Sequence, residues 1–291
     1  MKIGLHINRN RDKDFECALT AIKAVIKLGA VPVLLPELES EIPNEDGLIS
    51  FEEFEYAKPD VMVSIGGDGT FLAMISENRE LDTEFIGINK GSIGFLTQIS
   101  ADAIESSLER IISGDYRIIK RSQLYVEVFN KDGIRKGSDI CLNDCFICRG
   151  AKPHITKLLL KIDGQVVERF YGDGLVISTA TGSTAYNLAS GGPLLMPDMK
   201  DMIITSVCAH TLHTYSLVVG PESTIEIIVE DVETQPIICP DGREFVDIEP
   251  YDRIVIRLND KPVKTISIGP DSFFSDVRRK INQRGTFYEN G

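Results

Sequence analysis

Along the first ~116 residues of this 291-residue chain, apolar positions alternate between two spacings, and beyond Tyr116 only the shorter one survives. That switch restricts the fold more than any single residue does. The opening run 3–8 reads as a strand, and Phe15, Ala18, Leu19, Ile22, Val25 and Ile26 then fall on one helical face that Gly29 is placed to end. An extended run at 31–35, a polar acidic stretch over 37–60, a buried-strand run at 61–65 and a helix over 70–78 follow. A strand at 85–89 comes next, and Ile104, Leu108, Ile111 and Ile112 mark a helix that starts after Ser100 and stops at Gly114. Apolar strands alternating with helices predict an α/β domain built on a parallel sheet covered on both faces.

Past Tyr116 the strand-like runs are short, at 124–128, 157–162, 166–169, 175–177, 224–229 and 253–258. Asp132-Gly133, Asp163-Gly164, Pro221, Asp241-Gly242 and Asn259-Asp260 separate them as turns. This half predicts an all-β, sandwich-like domain. The expected division is 1–118 for the α/β domain and 119–270 for the β domain. The amphipathic stretch within 271–291 is expected to be a helix or tail that packs back on the first domain.

Composition removes several function classes. The formal charge of −13 repels polyphosphates and anionic lipid, so neither nucleic acid nor a membrane surface is an expected partner. No apolar run has the length of a span, and the start of the chain is too soon charged for a signal peptide, which predicts a cytoplasmic protein. An anionic ligand would have to be held locally. Lys90, Arg149, Lys152 and Lys157 are the candidate cations, although each taken singly reads as a solvated surface residue. Cys141, Cys145 and Cys148 match no zinc spacing, and all six cysteines read as small buried hydrophobes. His210 and His213 lack a further ligand, so no fixed metal site is expected.

Two glycine-rich loops carry the chemistry. Gly66-Gly67-Asp68-Gly69-Thr70 follows the buried strand and opens a helix, where backbone N–H groups and the helix N-terminus attract phosphate. A carboxylate in such a loop repels its ligand unless it binds a cation or takes a proton. Two readings stand here: a reactive phosphate loop, or a plain βα turn with Asp68 as the helix N-cap. Neither G-x-x-x-x-G-K-[ST] nor G-x-G-x-x-G is present. The second loop runs from Gly172-Asp173-Gly174 through Thr181-Gly182-Ser183-Thr184-Ala185-Tyr186 to Gly191-Gly192-Pro193. In it Ser183 or Thr184 is placed to cap a short helix, and Tyr186 offers a ring for a base and a hydroxyl for a ribose.

These segments, with 88–97 and Asn143-Asp144, resemble the NAD kinases, whose first motif is shared with lipid kinases while the 181–186 motif is specific. The resemblance implies an N-terminal α/β domain, a C-terminal β domain and an active site between them. It implies a kinase that phosphorylates the adenosine 2′-hydroxyl of NAD, with ATP or another phosphoryl donor, Mg²⁺ or another divalent cation, and dimers or tetramers. Carried over by position, Asp68 takes the hydroxyl proton and Gly66, Gly67, Gly69 and Thr70 hold phosphates. Asp68, Gly69, Phe95, Asn143, Asp144, His154, Tyr171, Asp173, Thr184, Ala185, Tyr186, Asn187, Leu188 and Ala189 contact NAD. The chain departs from the family pattern at Asp144 (usually Glu), Tyr171 (Arg), Ala180 (Pro) and Tyr215 (Arg). A lipid or sugar-phosphate kinase sharing the first loop and a non-catalytic dinucleotide sensor are the alternatives. The former leaves 181–186 unexplained, and the latter predicts loss of Asp68.

Overall fold

The computed structural model of the chain describes residues 1–44, 46–91, 94–150, 154–210, 215–230, 236–269 and 273–278. They divide into two compact units, Met1–Ile119 with Lys264–Gly291, and Lys120–Val263. Lys152, His213 and most of the C-terminal tail, singled out in the sequence, lie outside the described residues.

In the first unit, strands β1 (Lys2–Ile7), β2 (Val31–Leu34), β3 (Ser50–Phe51), β4 (Val61–Gly66), β5 (Glu84–Asn89), β6 (Ile99–Ser100) and β7 (Arg117–Arg121) alternate with helices α1 (Glu16–Lys27), α2 (Phe54–Ala57), α3 (Asp68–Glu77) and α4 (Ile104–Ser113). The sheet order is β3-β2-β1-β4-β5-β19-β7, where β19 is Val263–Ser267 and β6 adds to β5. From β3 to β5, and from β5 to β6 and β19, the pairings are parallel. Successive strands therefore run outward from β1 to one side and then reverse, placing the topological switch between β1 and β4.

The two faces of the sheet are covered by different helices, which is why the central strands β4 and β5 are buried along nearly their whole length. Ile3, Leu5, Val61, Val63, Ile65, Ile86 and Ile88 form one core with residues of α1 and α4. On the other face a Cβ at Gly4 would meet Met62 and Phe54, and one at Gly87 would meet Thr97 and Phe71, so α2 and α3 pack there. Helix α1 begins unusually: Phe15 is left-handed and supplies no side-chain cap. Instead the Asp12 carboxylate reaches in to accept the N–H groups of Cys17 and Ala18. Gly29 and Gly114 take positive φ where α1 and α4 were expected to stop.

The second unit holds the antiparallel strands β8 (Leu124–Phe129), β9 (Arg135–Cys141), β10 (Asp144–Cys148), β11 (Thr156–Ile162), β12 (Gln165–Gly172), β13 (Gly174–Thr179), β14 (Met202–Val207), β15 (Leu217–Val219), β16 (Ile225–Val229), β17 (Ile237–Pro240) and β18 (Arg253–Leu258). They make a five-stranded sheet, β15-β14-β13-β10-β17, and a six-stranded one, β12-β11-β16-β18-β8-β9. Alternate residues of both sheets, among them Cys145, Ile147, Leu175, Ile177, Leu158, Ile227 and Ile254, share one core. Strand β19 was counted with this half in the sequence reading, yet it pairs with β5 in register Lys264↔Glu84.

Candidate active site

At the switch point, the carboxyl ends of β1, β4 and β5 bring Asn8, the Gly66–Thr70 loop and Lys90 together. The Asn8 amide donates to Thr70 Oγ1 at 2.9 Å, and the Lys90 N–H donates to the Gly66 carbonyl at 2.9 Å. The N-cap of α3 is Gly67, and Asp68 is the first helical residue, so Asp68 does not cap the helix as one reading of the motif had it. Its carboxylate turns instead toward the segment after β5. There Phe95 N–H donates to Oδ2 at 2.7 Å, while Leu96 N–H at 3.0 Å, Thr97 N–H at 3.1 Å and the Thr97 hydroxyl at 3.1 Å all donate to Oδ1. A carboxylate oxygen has room for about two acceptor bonds. Oδ1 is therefore saturated, and Oδ2 keeps a lone pair.

The glycines around this carboxylate have two distinct causes. A Cβ at Gly94 would lie 1.9 Å from Asp68 Oδ1, and one at Gly66 would lie 2.3 Å from Thr70 Oγ1, so packing inside the chain demands both. At Gly67 and Gly69 a Cβ meets nothing within 4 Å. Neither has the positive φ that would demand glycine. Nothing among the described residues requires glycine there, which suits a ligand that approaches the backbone closely. The N–H groups of Asp68, Gly69 and Thr70, in the first turn of α3, have no intrahelical acceptor. Lys90 is not a spare cation: its Nζ is bonded to the fully buried Asp12, which holds its pKa above the ordinary lysine value.

In the second unit the residues gather on the outer face of the five-stranded sheet. Cys145 and Ile147 of β10 point into the core, so Asp144, Phe146 and Cys148 face the other way. The register Asp144↔Ser178 and Cys148↔Gly174 puts Asp144 and Asp173 at opposite ends of the β10–β13 pair, about 17 Å apart at the usual rise per residue. Between them the Tyr186 ring meets Phe146 edge to face, with centroids 4.9 Å apart. Arg149 closes the far end on Asp173 at 2.8 Å. The face is thus long and narrow, acidic at one end, aromatic in the middle and ion-paired at the other.

Asp144 is 7% exposed, and among the described residues no hydrogen-bond donor reaches its carboxylate. Burial, and then the neighbouring Asp241 charge, push its pKa up to about 7. A buried carboxylate without donors is costly, and a ligand's hydroxyl groups would relieve it. The loop after β13 is locked against this face. Thr179 Oγ1 donates to the Leu142 carbonyl at 2.6 Å, and a Cβ at Gly182 would lie 2.0 Å from the Asn143 carbonyl oxygen.

Ser183 and Thr184 do not cap the helix α5 (Tyr186–Ala189): Ser183 Oγ donates to Ala180 and accepts from Leu195 N–H, and Thr184 Oγ1 turns to Thr181. Asn187 is fully buried, with its amide spent on Ser183, Pro193 and Thr205, so it shapes the loop from beneath. Ala185 and Leu188 are half-buried and Ala189 exposed beside Tyr186. His154 is exposed just before β11, and Tyr171 is exposed on β12. All six cysteines are free; Cys208 is exposed and left-handed, unlike the buried hydrophobe expected of it.

Two family models match the chain: the ATP-NAD kinase N-terminal domain over residues 11–116 and the ATP-NAD kinase C-terminal domain over 142–268. The chain belongs to the ATP-NAD kinase family. It is 32% identical over 283 residues to the NAD kinase of Caldanaerobacter subterraneus subsp. tengcongensis, which spans 97% of this chain and 99% of the relative. The NAD kinase of Ruminiclostridium cellulolyticum is 33% identical over 294 residues, with 97% and 98% covered. Among solved structures, yeast NADH kinase complexed with NADH superposes with a TM-score of 0.85 at 22% identity, over 100% of this chain and 89% of that one. An NAD kinase from Archaeoglobus fulgidus in complex with ATP gives 0.75 at 22% identity, over 97% and 99%. At that identity both speak to the fold alone, and both fit the parallel and antiparallel halves described above.

For an ATP-NAD kinase, the sequence reading missed the residues that act on other residues. Gly94 and Thr97 shape the Asp68 pocket, and Asp241 was read only as a turn. The first two lay within a motif already noticed; no local signal links Asp241 to Asn143, which precedes it by 98 positions.

Proposed function

We infer that this chain transfers the terminal phosphoryl group of ATP to the adenosine 2′-hydroxyl of NAD, giving NADP. The observation that carries the reading is Asp68, a carboxylate fixed by four donors in a glycine loop at the switch point of a parallel sheet. Oδ2 accepts the hydroxyl proton as the oxygen attacks the γ-phosphorus. The N–H groups of Asp68, Gly69 and Thr70, with the open space over Gly67 and Gly69, receive the triphosphate. The divalent cation enters as part of the MgATP substrate. NAD lies along the β10 face, with ribose hydroxyls on Asn143 and Asp144, the adenine near Tyr186 and the nicotinamide half toward Asp173. Phe95, Thr184, Ala185, Leu188 and Ala189 add contacts.

Six free thiols fit a reducing cytoplasm, and no helix among the described residues is long and apolar enough to cross a membrane. Assembly into dimers or tetramers rests on the family resemblance. Incubating purified protein with NAD, ATP and Mg²⁺ and reading product with an NADP-specific dehydrogenase tests the reaction. Product from NAD that disappears without ATP is the expected result, and no product with any triphosphate would defeat the reading.

A further inference from the structure

The backbone that presents Asn143 and Asp144 is held by one side chain from the far side of β10. Strand β17 pairs with β10 as far as Cys145↔Pro240, and the chain then turns through Asp241 and Gly242, both at positive φ. The Asp241 N–H donates to the Asp144 carbonyl at 2.8 Å. Its carboxylate folds back over the strand end and accepts three successive amides: Leu142 at 2.8 Å, Asn143 at 2.8 Å and Asp144 at 3.3 Å. The carbonyls of Leu142 and Asn143 are taken by Thr179 and Ser178. Every backbone polar group from Leu142 to Asp144 is thereby committed, which leaves the Asn143 and Asp144 side chains for a ligand.

Resting on the NAD reading above, we propose that Asp241 is a positioning residue for NAD binding: it fixes the Asn143-Asp144 turn and sets the charge that Asp144 faces. The groups around Asp144 are few. Cys141 and Cys145 are buried thiols held neutral, since burial keeps their pKa values well above the ordinary one. The Tyr186 hydroxyl is neutral as well, and Arg243 is spent on Asp139 at 3.1 Å and on Asp241. Among the described residues Asp241 is the one anion that acts on Asp144; burial raises its own pKa, while its three amide donors and Arg243 pull the other way, toward the ionised form. Ionised Asp144 accepts on both oxygens with charge assistance, so NAD binds more weakly as pH falls through the range where Asp144 takes its proton.

Two substitutions separate the roles. Asp241→Asn keeps the size and removes the charge; its amide oxygen can still accept from Asn143 and Asp144 while its NH₂ faces the Leu142 N–H. Asp144 then ionises more readily, and the acid limb of NAD affinity should move down by about one pH unit. Asp241→Ala releases all three amides and should weaken NAD binding at least about tenfold at pH 8 while leaving ATP affinity within about twofold. Calorimetric titration of NAD and of ATP into wild type and both variants from pH 5.5 to 8.5 reads each quantity, with near-ultraviolet circular dichroism confirming the fold. An Asp241→Asn limb that stays in place, or equal losses of NAD and ATP affinity in both variants, would overturn the proposal. If wild type itself binds no NAD, the functional reading fails instead, and this inference falls with it.

Discussion

At the level of single residues, two kinds of glycine and one carboxylate set the chemistry. Asp68→Asn keeps the size but cannot take a proton, and its NH₂ must face N–H donors in the Phe95–Thr97 pocket. We expect kcat to fall by about 10²-fold or more with little change in NAD affinity by titration; near-normal turnover would remove Asp68 as the base. Gly69→Ala tests the claim that this glycine answers to a ligand and not to the fold. The new methyl meets no atom within 4 Å, and alanine is the better helix former, so the thermal midpoint should hold or rise. The KM for ATP should nevertheless climb at least about tenfold, the cost of displacing one phosphate contact. A variant that loses stability and keeps its KM would mean that the glycine serves packing.

At the level of elements, the first turn of α1 and the start of β10 are both organised by acids from outside the element. Asp12 accepts two amides of α1 and the Lys90 ammonium while fully buried. Asp12→Ala leaves those amides without an acceptor and Lys90 without its partner, which should cost about 2 kcal/mol or more. Scanning calorimetry should show the midpoint lowered by about 4–8 °C, and an unchanged midpoint would show that the pair contributes nothing net. β10 escaped the sequence reading for a related reason. Its run Asp144-Cys-Phe-Ile-Cys begins with a charge and carries its polar and aromatic side chains on a face covered by the loop after β13, so the alternation that marks a half-exposed strand is blurred. The strands 124–128 and 253–258, with solvent on one side, showed that alternation and were legible.

For the whole molecule, the buried acid pair links ligand binding to stability. Asp144 has a folded pKa of about 7 against an ordinary 3.8, so the folded state holds its proton more tightly than the unfolded chain does. The sign follows: below about pH 4 both states are protonated and nothing is lost, and between there and about 7 the fold loses stability as the pH rises. Asp144→Asn has no such charge, so its denaturant midpoint should exceed that of wild type at pH 8, with the gap closing toward pH 4. A gap independent of pH would place Asp144 in a solvated setting. The sequence by itself determined the α/β-then-β order, the two glycine loops and their residues, because hydrophobic period and turn chemistry are local. It left open whether Asp68 caps a helix, and it gave Asp241 no part in the site. Tertiary structure decided both, since the amides that hold Asp68 lie beyond β5 and those that Asp241 holds come from the start of a strand laid beside β17. Partners so distant in sequence are chosen by strand pairing, which no local pattern encodes.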